Sequence, residues 1–186
     1  DIQIFERDIP GQNEYGLSGQ DISRLPLETC QTMNESWGYR ITDTNYKSSE
    51  DLIRYLVQTA GKGANLLLNI GPRPDGTLPE QALERLEAIG QWLSRYGESI
   101  YGTKAGYVPA QDWGVSTQKD KLLYLHILKH QDKLVIPASS KPRSVTLLSS
   151  GEKLPFSFKK GELSIEIGSA SGEVDEIVCV EFKKSL

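Results

Sequence analysis

The spacing of apolar residues changes once along this chain, near residue 105. Before that point Leu52, Ile53, Leu56, Val57 and Ala60 recur at helical spacing, and so do Leu83, Leu86, Ile89, Gly90 and Leu93. Each set makes one apolar stripe on a helix. Ser48 or Ser49 is placed to cap the first helix, with Glu50 and Asp51 in its first turn and Gly61 at its end. Thr77-Leu-Pro-Glu80 reads as a capping box for the second, with Pro79 in the first turn, and Tyr96-Gly97 closes it. Between the helices, residues 65–70 form a short apolar run. It is bounded by Gly61 and Gly63 on one side and by Gly71, Pro72, Pro74 and Gly76 on the other. That pattern predicts a strand buried on both faces. Residues 2–5 alternate as a further strand, ended by Pro10-Gly11. Residues 12–25 are polar and aperiodic, a long loop of the kind that frames active sites.

Strands alternating with helices predict a parallel sheet covered by helices. One strand followed by two such elements is too little for a closed (β/α)8 barrel, which needs eight units and typically ~250 residues. The expectation is therefore an α/β region, residues 1–105, forming the C-terminal portion of a (β/α)8-like catalytic domain within a longer protein. In such barrels the loop after a strand lies on the catalytic face, so residues 71–77 are expected at the rim of a site. Beyond residue 105 helical periods vanish. Short strands are predicted over residues 113–117, 121–128, 133–136, 144–148, 154–158, 163–167 and 176–182, separated by turn-rich pieces. This is the pattern of an antiparallel β-sandwich, assigned to residues 106–186.

Composition narrows the function classes. With 38% hydrophobic and 25% charged residues among 186, the chain is globular. Its net charge of -4 is spread without a basic stripe, which argues against nucleic acid as a partner. No apolar run approaches the ~20 residues of a membrane helix. Cys30 and Cys179 fall in different expected domains, which argues against a disulfide between them. Two histidines and no Cys/His cluster give no metal-ligand set, and no cofactor fingerprint follows a strand: Gly61-Lys-Gly63 precedes one.

What remains is carboxylate and aromatic chemistry. Glu6, Arg7 and Asp8 follow the first strand, either as catalytic-side residues or as a surface charge cluster. Glu28 lies in a mostly apolar and neutral stretch, the setting a general-acid carboxyl requires, although most glutamates are simply solvated. Trp37 and Tyr39 beside Gly38 offer an apolar platform for a sugar ring, or ordinary core aromatics. Asn65 and Asn69, at the two ends of the apolar strand, are read either as partners for loop backbone or as site residues, and His126 and His130 as structural or surface residues. Carboxylates with aromatics at a barrel mouth suit glycoside hydrolysis, in which one carboxyl protonates the leaving oxygen and another attacks or activates water.

Three runs sharpen this reading. They are Glu28-Thr-Cys-Gln-Thr-Met-Asn-Glu-Ser-Trp-Gly-Tyr39, Gly63-Ala-Asn-Leu-Leu-Leu-Asn-Ile-Gly-Pro-Arg-Pro-Asp-Gly76 and Gly90-Gln-Trp-Leu-Ser-Arg-Tyr-Gly-Glu-Ser-Ile-Tyr-Gly-Thr103. In order and spacing they resemble glycoside hydrolase family 29 α-L-fucosidases over about residues 1–105. The resemblance implies a retaining exo-α-L-fucosidase without cofactor or metal. An aspartate nucleophile would lie upstream and a glutamate would serve as acid/base. Glu28 stands where many relatives carry a Trp-Glu pair, here with Leu27 in place of the Trp, and is the first choice for acid/base; Glu6 is the second. Arg7 resembles a substrate-contacting arginine, and Trp37 is a candidate for packing on the sugar. The implied partners are a fucosylated oligosaccharide or glycoconjugate and the rest of the catalytic domain before Asp1. The implied location is extracellular or periplasmic, or lysosomal in a eukaryote. The alternative from a different class is a non-catalytic carbohydrate-binding module with the sandwich as binder.

Overall fold

The structure is a computed structural model describing residues 1–12, 14 and 21–186. Much of the long loop expected over residues 12–25 therefore lies outside the described residues. The chain forms two compact units, Asp1–Ser94 and Arg95–Leu186.

The first unit contains strands β1 (Gln3–Glu6) and β2 (Leu27–Thr32), helix α1 (Ser49–Gly61), strand β3 (Ala64–Asn69) and most of helix α2 (Glu80–Tyr96). The strands pair in parallel in the order β1-β2-β3. Ile4 lies opposite Glu28 and Glu6 opposite Cys30, while Glu28 faces Asn65 and Thr32 faces Asn69. In α1 the cap is Ser48, whose hydroxyl accepts the Asp51 N–H at 3.0 Å, and Leu52, Ile53 and Val57 are buried. The chain leaves the helix through Gly63, whose φ of 73° an L side chain rarely adopts.

Three expectations are corrected here. Residues 27–32 form a strand that the apolar pattern does not reveal, because four of its six residues are polar. It holds its place by satisfying polar groups: the fully buried Thr29 hydroxyl donates to the Asp8 carbonyl, and Thr32 donates to the Asn34 carbonyl. The glycine-framed strand β3 is covered on one face only. Ala64 is buried with Phe5 and Leu27, and Leu68 packs near Met33, Leu52 and Ala82; on the opposite face Leu67 is 47% exposed. The capping box of α2 does not form, since the Thr77 hydroxyl donates instead to the Asp75 carboxylate at 2.7 Å. The buried residues of α2 are Ala82, Trp92 and Tyr96, whereas Leu83 and Leu86 are exposed.

The second unit is built of antiparallel strands after a 3-10 turn at Gly97–Ser99: β4 (Lys104–Ala105), β5 (Gly114–Lys119), β6 (Leu122–Ile127), β7 (Lys133–Pro137), β8 (Ser144–Leu147), β9 (Phe156–Lys159), β10 (Glu162–Glu166) and β11 (Glu176–Glu181). They make a five-stranded sheet, β4-β5-β6-β11-β8, and a three-stranded sheet, β7-β10-β9. Leu123, Leu125, Val178 and Val180 from the first pack with Leu134, Ile136, Leu163 and Ile165 from the second as one buried core. The seven strands expected from the sequence correspond to β5 through β11, and the short β4 is additional. The two-residue turn between β9 and β10 places Lys160 and Gly161 at φ 51° and 83°, as a hairpin turn of matching twist requires. Both cysteines are free thiols, and burial pushes the Cys179 thiol up to about 11, so it stays protonated near neutral pH.

One surface feature of this unit is directly testable. His130 sits between two carboxylates, with Nδ1 3.2 Å from Glu176 and Nε2 3.2 Å from Asp132. The hydrogen bond to Glu176, followed by that to Asp132, raises the imidazole above its ordinary value. Its stabilising contribution is therefore complete below the unfolded value of ~6.5 and is lost as pH rises through the higher folded value. Histidine NMR titration is expected to place the His130 midpoint above ~6.5. Glu176→Gln should lower that midpoint more than Asp132→Asn does; the reverse order would contradict this geometry.

Candidate active site

The parallel sheet collects polar side chains on its uncovered face. Residues paired across parallel strands point to the same side, so the face carries rows of Ile4, Glu28 and Asn65, then Glu6, Cys30 and Leu67, then Thr32 and Asn69. The Glu6 and Glu28 charges help to hold the Cys30 thiol above its usual value, after burial as the larger cause. The two glutamates thus share one face but not one level. Glu6 is the last residue of β1, and Glu28 is the second residue of β2, displaced by two strand positions, about 6–7 Å, toward the N-terminal edge.

At the C-terminal edge the backbone departs from regular structure. Arg7 has a φ of 60°, unusual for a side chain of its size, and it directly follows Glu6. Its N–H still donates to the Cys30 carbonyl at 2.8 Å, so the sheet ladder runs to the bend. Beyond the bend its guanidinium donates through Nη2 to the Glu35 carbonyl at 2.8 Å and lies 5.3 Å from the centre of the Trp37 ring. The loop after β2 is fixed from three directions. Asn69, at the end of β3, donates through Nδ2 to the Trp37 carbonyl at 2.6 Å. Lys47 donates to the carbonyls of Thr32 at 2.8 Å and Asn34 at 3.2 Å. Burial, and then the Arg7 charge, hold the Lys47 ammonium below the usual lysine range.

The third constraint is Gly71. A Cβ there would lie 2.5 Å from the Tyr39 backbone nitrogen and 2.6 Å from the Gly38 carbonyl carbon. The loop following β3 therefore runs against the backbone of the loop following β2, and only glycine permits that approach.

These contacts bring together most of the residues expected from the sequence. Glu6, Arg7, Trp37, Tyr39 and Asn69 gather at or just beyond the C-terminal ends of the three strands, with Trp37 and Tyr39 partly exposed. Glu28 and Asn65 lie nearer the opposite edge. Asp8 is 2% exposed, and its carboxylate accepts the Glu14 N–H at 3.1 Å, which gives it a loop-holding role. Asn69 satisfies a loop carbonyl, as its position at a strand end suggested. Lys47 was not legible, because its partners are 13 and 15 residues away and nothing in the local pattern marks them.

Parallel strands flanked by helices, with a carboxylate, an arginine and aromatics at their C-terminal ends, place this unit in the α/β class, in which that edge of the sheet is where functional side chains collect. A family profile described as Alpha-L-fucosidase matches residues 1–98, and the chain belongs to that family. It is 36% identical over 160 residues to the plasma alpha-L-fucosidase of Pongo abelii, covering 75% of this chain and 33% of that protein. It is 32% identical over 155 residues to the alpha-L-fucosidase of Dictyostelium discoideum, with coverages of 75% and 34%. The chain thus spans about a third of the length of these relatives. Among solved structures, alpha-L-fucosidase isoenzyme 1 from Paenibacillus thiaminolyticus superposes with a TM-score of 0.83 at 28% identity, covering 99% of this chain and 45% of that one. The Thermotoga maritima alpha-fucosidase in complex with fucose gives a TM-score of 0.72 at 29% identity, with coverages of 86% and 40%. No helix among the described residues is long and apolar enough to cross a membrane.

Proposed function

We propose that the full-length protein is a retaining exo-α-L-fucosidase, that the parallel unit is the C-terminal portion of its (β/α)8-like barrel, and that Glu6 is its acid/base. The observation that carries the catalytic assignment is the position of Glu6. It is the last residue of a parallel strand, facing the uncovered side of the sheet, where barrel enzymes hold their reacting groups. Leu67 and Ile4, 47% and 44% exposed on that side, are apolar positions that the remaining strands of a barrel would cover. Glu28 shares the face but sits one side-chain layer deeper, which favours a packing or hydrogen-bonding role inside the barrel over protonation of a leaving group.

In this reading an aspartate contributed by an upstream strand attacks the anomeric carbon and forms a covalent fucosyl-enzyme. Glu6 donates its proton to the departing glycosidic oxygen. In the second step its carboxylate removes a proton from water, which attacks the same carbon from the side the leaving group vacated. Two inversions give net retention. Arg7, bent out of the strand and held by Glu35 and Trp37, donates a hydrogen bond to a sugar hydroxyl or steadies the nucleophile. Trp37 presents ring surface for the apolar side of the sugar. The Thermotoga maritima alpha-fucosidase, 27% identical to this chain, is described in complex with a mechanism-based inhibitor, which supports fucoside hydrolysis as the reaction. Relatives named plasma and tissue alpha-L-fucosidases support an extracellular or lysosomal location and a fucosylated glycan as partner.

The test is stereochemical. Proton NMR of the full-length protein acting on an aryl α-L-fucoside should show α-L-fucose appearing first, with the β anomer following by mutarotation. Initial release of β-L-fucose would refute retention. Absence of hydrolysis across aryl and natural fucosides would return the protein to the class of non-catalytic sugar binders.

A further inference from the structure

The sandwich holds a hollow that the catalytic reading does not use. It measures about 370 Å³, within the range of small-molecule sites, and opens between the two sheets. Gln118 lines it from β5; Pro137, Ala138 and Ser139 line it from the end of β7; Tyr107, Gly161 and Leu186 complete its walls. These walls are chiefly apolar, and no charged side chain lines them among the described residues.

Gln118 is the polar exception, and it is 5% exposed. Its Oε1 accepts the Tyr107 N–H at 2.8 Å, which fixes the orientation of the amide. No hydrogen bond among the described residues engages its Nε2, which therefore brings two unused donors to a largely apolar hollow. Nε2 is not among the fully buried unpartnered atoms, so it reaches solvent through the hollow, where an entering acceptor can replace water. The Ser139 hydroxyl, at an exposed position, can both donate and accept. Tyr107 is 39% exposed, so its ring presents surface to an incoming group.

We infer that this hollow is a binding site for a neutral pyranose, separate from the hydrolytic residues, with Tyr107 as the ring platform and the Gln118 amide as donor to a ring hydroxyl. Absence of charge in the lining disfavours phosphorylated or acidic ligands, which would lose hydration without a counter-charge. A purely apolar ligand would leave the Gln118 donors unmet. A sugar ring has both faces of the required chemistry, C–H bonds on one side and hydroxyl acceptors at its edge. A second hollow of about 360 Å³ shares Gln118 and Leu186 and is lined by Thr103, Lys104, Lys119, Asp120 and Ser185, with Gly102. It gives a polar continuation for the next unit of an oligosaccharide. The assignment does not depend on whether the protein hydrolyses fucosides.

The experiment uses the full-length protein labelled with 13C-methyl alanine, so that Ala138 reports this hollow alone. L-fucose, D-galactose and lactose are titrated, with cyclohexanol as an apolar comparison. The Ala138 methyl is expected to shift with a Kd in the millimolar range for at least one sugar. Tyr107→Ala should weaken that binding at least about tenfold, while Tyr107→Phe leaves it within about twofold. Gln118→Glu keeps the acceptor for Tyr107 but removes the donors, and should also weaken it about tenfold. An Ala138 signal unmoved by all three sugars at about 50 mM would overturn the proposal. So would a response to cyclohexanol with none to sugar, or unchanged affinity in Gln118→Glu.

Discussion

Glu6→Gln in the full-length protein is expected to lower turnover of α-L-fucosides with poor leaving groups by ~10²–10⁴, the usual worth of a positioned general acid. Substrates with activated aryl leaving groups should lose far less in the first step, because their departing oxygen needs little protonation. For these, loss of the general base makes breakdown of the fucosyl-enzyme slow, and azide, which needs no deprotonation, should restore turnover as the fucosyl azide. Glu28→Gln is expected to stay within about tenfold of the parent across the same series, without azide rescue. The comparison rests on the parallel register. Glu6 pairs with Cys30 at the C-terminal edge, whereas Glu28 pairs with Ile4 one layer away from it. Should Glu28→Gln carry the leaving-group dependence and azide rescue while Glu6→Gln remains near normal, the assignment is reversed.

The second large effect concerns stability. His126 and Asp175 are fully buried in the sandwich, with Nδ1 2.6 Å from the carboxylate. Nε2 lies 3.1 Å from the Thr117 hydroxyl, which itself donates to the Ser99 carbonyl at 2.6 Å. His126→Ala removes the ring and leaves Asp175 buried without its partner. Urea unfolding of the sandwich is expected to show a loss of ~3–5 kcal/mol. Replacing both residues by leucine should recover much of that loss, since a matched apolar pair strands no charge. A single-mutant loss below ~1 kcal/mol would mean that the pair contributes little.

Legibility in the sequence followed the kind of interaction involved. The helices and the strands of the sandwich rest on repeated apolar positions, and their spacing showed. β2 did not show, because it is held by hydrogen bonds from Thr29 and Thr32 to loop carbonyls rather than by an apolar run. The candidate site was readable as a set of residue types: Glu6, Arg7, Trp37 and Tyr39 were all singled out. Ranking the two glutamates was not, since their difference in height depends on strand register, which no local pattern encodes. For His126 the sequence leaves structural and surface roles open, and its complete burial beside a carboxylate selects the first. Its partner was out of reach at a separation of 49 residues, where only the pairing of β6 with β11 brings the two segments side by side.

Gly71 also constrains how this part of the protein can diversify. Because the loop after β3 touches the backbone at residues 38 and 39, neither loop can gain or lose a residue near the contact without a matching change in the other. The two stretches are separated by some thirty positions, yet a shift in the course of one must be accommodated by the other. Insertions, the common route by which loop-bearing enzymes acquire new preferences, are closed at this point of the rim. Variation is left to the side chains that project from it, Trp37 and Tyr39, where single substitutions can alter what the rim contacts while its course is preserved.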